Sequence, residues 1–188
     1  MEVAALPQSP IDPISALAEI DPRQIDKAEL VEMLHAASHA AERGLDLSSL
    51  SAERFAQLIS RASTEQLKAV LSRPELSESI VDEIFRRMSR HYQPENAKRS
   101  HAVVNWRIGK DDDLLHYECE LDERGCQVTK GSQSDAGTVT ITMSPLDFVQ
   151  LTSGNTTAPK LVMARRVRLA GDIGFAVNLP KLFQIPKA

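Results

Sequence analysis

A chain of 188 residues, 42% hydrophobic and 26% charged, can bury a core and stay in solution as one domain or one domain with a helical appendage. Its net charge of −4 is uneven, with 10 Lys/Arg against 15 Asp/Glu in residues 1–90 and 12 against 11 in residues 91–188. Neither half is basic enough to mark nucleic acid as a partner, and aromatics at 4% are too few for stacking on bases. No run of about 18 apolar residues offers a membrane span. The start, MEVAALPQSP, lacks the basic and apolar regions of a secretory signal, so a soluble cytoplasmic protein is expected. Cys119 and Cys126 fit neither a disulfide framework nor a metal motif, and free thiols and no cofactor are the expectation.

Residues 1–24 hold Pro7, Pro10, Pro13 and Pro22 without sustained periodicity, which reads as a flexible leader. Residues 25–76 read as a helical region. Asp26 caps a helix to Arg43 with Leu30, Val31, Leu34 and Ala37 on one stripe and Gly44 as its stop. Ser51 starts a second helix whose Phe55, Leu58 and Ile59 share a buried face, and Thr64 opens a third that closes at Leu71, before Pro74. A longer helix led by Ser77 or Ser79 has Ile80, Ile84, Phe85 and Met88 inward and Arg86, Arg87 and Arg90 in its last turns. It opens a domain spanning residues 77–188.

The period then falls to two. Val104, Trp106 and Ile108 alternate with Asn105 and Arg107, and Leu115, Tyr117, Cys119 and Leu121 alternate with His116, Glu118 and Glu120. Polar turns at Gly109–Asp113 and Asp122–Gly125 link these to a third strand, Cys126 to Lys130. Val139, Ile141 and Met143 point inward from a fourth, Thr138 to Met143, and the four together read as an antiparallel meander. With a tight turn at Glu123-Arg124, Cys126 faces Leu121 and lies diagonal to Cys119. Ser144 caps a proline-led helix ended by Gly154, a second helix starts at Pro159, and Val167 and Leu169 mark a fifth strand. The last helix, capped by Asp172, is apolar nearly all round through Ile173, Phe175, Ala176, Val177 and Leu179, which predicts burial on more than one side.

The run Ser144 to Gly154, with Asp147-Phe148 near its start, then Pro159, then Val167-Arg168-Leu169-Ala170-Gly171-Asp172-Ile173-Gly174-Phe175-Ala176, resembles the sterol carrier protein 2 family. Val81 to Met88 and Val103 to Ile108 stand where that family's first helix and first strand fall. The resemblance covers about Ser79 to Ile185. It implies an α+β fold, a five-stranded, mostly antiparallel sheet covered by helices on one face, with a tunnel for sterols, fatty acids, acyl-CoA or phospholipids. Arg165-Arg166 replaces the Gly-Lys that members often carry before the fifth strand, which leaves headgroup preference open. The final Ile185-Pro186-Lys187-Ala188 lacks the peroxisomal tripeptide of many eukaryotic members, and the expectation is a cytosolic, bacterial version.

The expected cavity lining is Trp106, Phe148, Leu151, Leu161, Met163, Ile173, Phe175, Ala176, Leu179, Leu182 and Phe183, each of which also suits an ordinary helix-on-sheet core. The leading expectation is non-catalytic binding or transfer of an apolar small molecule, fatty-acyl, sterol-like or polyketide-like. The alternative is a cyclase or isomerase using the same cavity, with His116, Tyr117 or Glu118 as candidate groups. His35 and His39 have metal spacing but no third ligand in sequence and read as a surface pair, and Asp111-Asp112-Asp113 reads as a solvated turn. Arg165, Arg166 and Arg168 suit an edge strand, a ligand headgroup or transient contact with an anionic membrane surface. The apolar stripes of the N-terminal helices allow a protein partner.

Overall fold

The computed structural model describes residues 13–40, 46–97, 101–131 and 137–184. Residues 1–12 of the expected leader, and the Arg43 and Gly44 helix end, lie outside the described residues. Pro13–Glu19 forms helix α1, which buries Leu17, and Pro22–Gln24 forms a 3-10 turn capped by Asp21. Leu17 joins the core and Ile14 and Ala18 pack against it, contacts that the proline spacing does not reveal.

Helix α2 (Lys27–Ala40) starts where Asp26 Oδ1 accepts the amides of Ala28 and Glu29. Ser51 caps α3 (Ala52–Arg61), and Ser63 with Gln66 makes a capping box for α4 (Thr64–Leu71). Gln66 is itself buried, and its amide donates to the carbonyls of Pro22 (2.7 Å) and Ile25 (2.9 Å), fastening the first turns of the chain to α4. Helix α5 runs Pro74–Arg90 and begins a turn earlier than Ser77, because proline at the first position is preorganised for a helix and Leu76 is fully buried. The expected boundary at residue 77 therefore falls inside a helix.

Strands β1 (His101–Lys110), β2 (Asp113–Asp122) and β3 (Gly125–Lys130) form an antiparallel meander with tight turns at 111–112 and 123–124. Leu121 pairs with Cys126 and Cys119 with Val128, so the two free thiols are diagonal neighbours. The meander stops there. Strand β4 (Val139–Met143) crosses over to pair in parallel with β1, and β5 (Val167–Gly171) closes the order β3-β2-β1-β4-β5. Alternation specifies which face each residue takes but not which edge a strand joins, so the four-strand antiparallel reading is corrected. Gly171 ends β5 at φ +97°, where a Cβ would lie 2.6 Å from the Thr138 carbonyl.

Helix α6 (Pro145–Thr152) is capped by Ser144, α7 is Ala158–Met163, and α8 is Ile173–Asn178, continued by a 3-10 turn, Leu179–Leu182. Val104, Trp106, Ile108, Tyr117, Cys119, Leu121, Val139, Ile141 and Met143 make one buried face of the sheet. Helices α5, α6 and α8 pack on the sheet. Phe85 of α5 stacks on Tyr117 (4.1 Å between ring centres) and Phe148 (4.9 Å) and meets Trp106 edge-on (5.8 Å). Helices α2 and α4 continue on α5, and α3 and α4 on α6, so one hydrophobic cluster runs from Leu17 to Leu182.

Candidate binding cleft

The helical region and the sheet domain do not close completely on each other. Between them lies an apolar cavity of about 120 Å³ that is open to solvent. From α3 come Ala52, Phe55, Ala56 and Ile59, and from α5 Ile84, Arg87 and Met88 with its C-cap His91, each set spaced at helical turns. Trp106 of β1, the end of α6 from Leu151 to Ser153, and the C-terminal Leu179, Pro180, Phe183 and Gln184 complete the walls. Ala52 and Ala56 keep the α3 side open, since larger side chains there would occupy the space.

Two tethers hold the cleft. At the first, buried Glu83 is ion-paired with Arg86 and Arg87, and Arg87 also donates to the carbonyls of Leu47 (3.1 Å) and Leu50 (2.7 Å). The same guanidinium lies 4.7 Å from the centre of the Phe55 ring, fixing α3 and the loop before it against α5. At the second, the amide of Gln93 donates to Leu182 and that of Gln184 to His91, while the rings of Tyr92 and Phe183 meet at 5.6 Å. The C-terminal segment is thereby pinned across the end of α5.

A smaller cavity of about 40 Å³ lies on the far side of Trp106, among α7, β4, β5 and α8, with Leu161, Val162, Val167, Leu169, Ala176 and Val177 in its walls. Trp106, Leu151, Leu179 and Pro180 line both cavities. They form a common partition.

The expected lining residues therefore separate. Trp106, Leu151 and Leu179 border both cavities, Phe183 the larger, and Leu161 and Ala176 the smaller. Phe148 and Leu182 are packed in the core and border neither, and half-buried Phe175 packs against that core. Met163 is 85% exposed and Ile173 56% exposed, so neither faces a cavity. The burial predicted for α8 on more than one side is corrected as well: Ala176 is buried, while Ile173 is exposed and Val177, 45% exposed, stands at the rim of the smaller cavity.

His116, Tyr117 and Glu118 border neither cavity. The Tyr117 hydroxyl donates to Asp82, and burial, then that bond, holds the phenol protonated well above its ordinary range. Burial likewise pushes the Cys119 thiol up. Of the three arginines, Arg166 is ion-paired with buried Asp147, while Arg165 and Arg168 are exposed. His35 and His39 stack at 6.1 Å. Periodicity had marked Phe55, Ile59, Ile84 and Met88 as buried. It had not shown that two stripes in separate regions face one space.

A one-sided α+β sheet whose helical cover leaves an apolar cleft is the architecture these residues define. By its sequence the chain belongs to the SCP-2 sterol transfer family, whose model matches residues 81–184. It is 26% identical over 109 residues to a hydroxysteroid dehydrogenase-like protein 2 of Bos taurus, and 28% identical over 102 residues to that of Rattus norvegicus. These alignments take in 58% and 54% of the chain but only 26% and 19% of the relatives, so the chain matches about a quarter of their length or less. Among solved structures, sterol carrier protein 2 like 2 of Aedes aegypti covers 56% of this chain and 94% of its own, at 19% identity and a TM-score of 0.45. A double mutant of the sec-alkyl sulfatase PisA1 covers 95% of this chain and 33% of its own, at 14% identity and a TM-score of 0.51. The second likeness is one of fold, and it takes in the N-terminal helices with the sheet.

Proposed function

We propose that this chain binds and carries an apolar small molecule, without converting it, in the cleft between α3 and the sheet domain. The observation that carries this reading is the cleft lined by Phe55, Ile59, Ile84, Met88, Trp106, Leu179 and Phe183, in a member of the SCP-2 sterol transfer family. Size favours a slim acyl chain over a rigid ring system. A cavity of about 150 Å³ holds a molecule the size of benzene, and this one is about 120 Å³. A longer chain extends out of the cleft, where His91, Thr152, Ser153 or Gln184 offers a polar group of the lining to its carboxyl head. The carrier works as a soluble cytoplasmic protein.

Displacement of a fluorescent fatty acid, followed also by the emission of Trp106, tests the proposal. Ala56→Phe fills the cleft from the α3 side and is expected to weaken binding about tenfold or more, since an occupied cavity has no room for the chain. Unchanged signals with fatty acids, acyl-CoA and sterols at micromolar levels would overturn it.

A further inference from the structure

Of the four residues that line both cavities, Trp106 is the largest and the one aromatic side chain; the others are Leu151, Leu179 and Pro180. Its backbone pairs with Tyr117 of β2 on one side and with Ile141 of β4 on the other. Its ring meets Phe85 edge-on at 5.8 Å and Phe148 edge-on at 5.5 Å, and only 4% of the residue is exposed. A backbone held by two strands and a ring packed by two others fix the indole in place. It stands as a wall, with the larger cleft on one side and the smaller cavity on the other.

A fatty acid enters the larger cleft methyl end first, because a carboxylate carried in among apolar walls loses its hydration without gaining a partner. Each methylene that leaves water then adds about fourfold in affinity. That gain lasts until the chain meets the wall. Beyond it lies a cavity of about 40 Å³ bordered by Ala158, Leu161, Leu169 and Ala176. By itself this space is too small for a ligand, since a molecule the size of benzene takes about 150 Å³. Joined to the larger cleft, it would lengthen the path open to a slim chain.

We infer that Trp106 sets the length of hydrocarbon chain that the cleft rewards, an inference that rests on the carrier role proposed above. The methyl end of a straight acyl chain stops against the indole. Chains up to that length bind more tightly with every methylene, and longer ones gain nothing further because the excess stays in water. A smaller side chain at this position opens the way into the second cavity and moves the limit to longer chains.

The test measures the affinity of the full chain for octanoate, decanoate, laurate, myristate, palmitate and stearate, each displacing a fluorescent fatty acid. In the unaltered protein affinity is expected to rise about fourfold per methylene and to level off before stearate. Trp106→Leu is expected to carry the rise past that point, binding the next longer acids about tenfold more tightly than the unaltered chain does. Adding Ala158→Leu, which fills the smaller cavity from a half-buried position on α7, is expected to return the limit to its original length. Trp106 is the one tryptophan, so its emission gives a second reading that needs no substitution. A fatty acid brominated next to its methyl end is expected to quench it more than one brominated next to its carboxyl. An unmoved limit in Trp106→Leu while fatty acids still bind, a limit that Ala158→Leu leaves shifted, or quenching at least as strong from bromine beside the carboxyl overturns the inference. Should Trp106→Leu lose its cooperative unfolding, the bromine comparison decides alone. If the unaltered chain binds none of these acids, the carrier role itself fails, an outcome distinct from an unmoved limit.

Discussion

The sheet domain and the N-terminal helical region meet in one core, yet they contribute to the cleft in different ways. The sheet side presents Trp106, held by an aromatic cluster whose Phe85 touches three other rings. The helical side presents two alanines and the ring of Phe55, held by a guanidinium that reaches across from α5. One wall is fixed by close packing, the other by a charged tether. The family match at residues 81–184 includes the first wall and excludes α3.

Three substitutions probe that contrast. The largest effect is expected from Phe85→Ala, which opens a void among Trp106, Tyr117 and Phe148 and costs about 4 kcal/mol. Chemical denaturation should show the whole chain losing stability in a single transition, and two separated transitions would show that the regions fold independently. Arg87→Ala acts on the seam instead. It removes the tether to Leu47 and Leu50 and leaves buried Glu83 with Arg86 alone, a loss of about 2 kcal/mol. Amide exchange should accelerate in α3 before it does in β1, and equal acceleration in both would break the comparison.

The smallest effect belongs to Asp21, at the outer edge of the helical region. Its side-chain and backbone bonds with Arg23, and the nearby Arg61 at 3.6 Å, lower its pKa from 3.8 to about 2. A carboxyl lowered on folding stabilises the native state above its unfolded pKa, and that contribution disappears as pH falls toward 2. Asp21→Asn should therefore lower the neutral plateau by this small contribution and flatten the acid limb of stability between about pH 4 and pH 2. An unchanged limb would place the acid sensitivity elsewhere.

Much of the sheet domain was legible because its signals are local. Ser144 and Pro145 open α6, Gly171-Asp172 breaks into α8, and the alternation along β1, β2 and β4 names the residues that face inward. Pairing was less legible. The inward pattern of Val139, Ile141 and Met143 is the same whether β4 lies beside β3 or beside β1. The cleft was half legible: Trp106, Leu151, Leu179 and Phe183 could be named from one domain, while Phe55 and Ile84 meet only through packing between regions. Helix α8 misled for a physical reason. An apolar surface in a sequence promises a partner, and the partner need not be the rest of the same chain.

The parallel seam between β1 and β4 also bears on how the chain finds its fold. β1 and β2 zip together from a two-residue turn, a contact that closes a minimal loop. Val104 meets Val139, and Ile108 meets Met143, only after an entire hairpin and loop have been spanned. Distant closures cost more chain entropy before any contact repays it. The meander therefore belongs early on the folding route and the docking of β4 late. Substitutions at Ile141 should act chiefly on the unfolding rate, those at Leu115 or Tyr117 on the refolding rate.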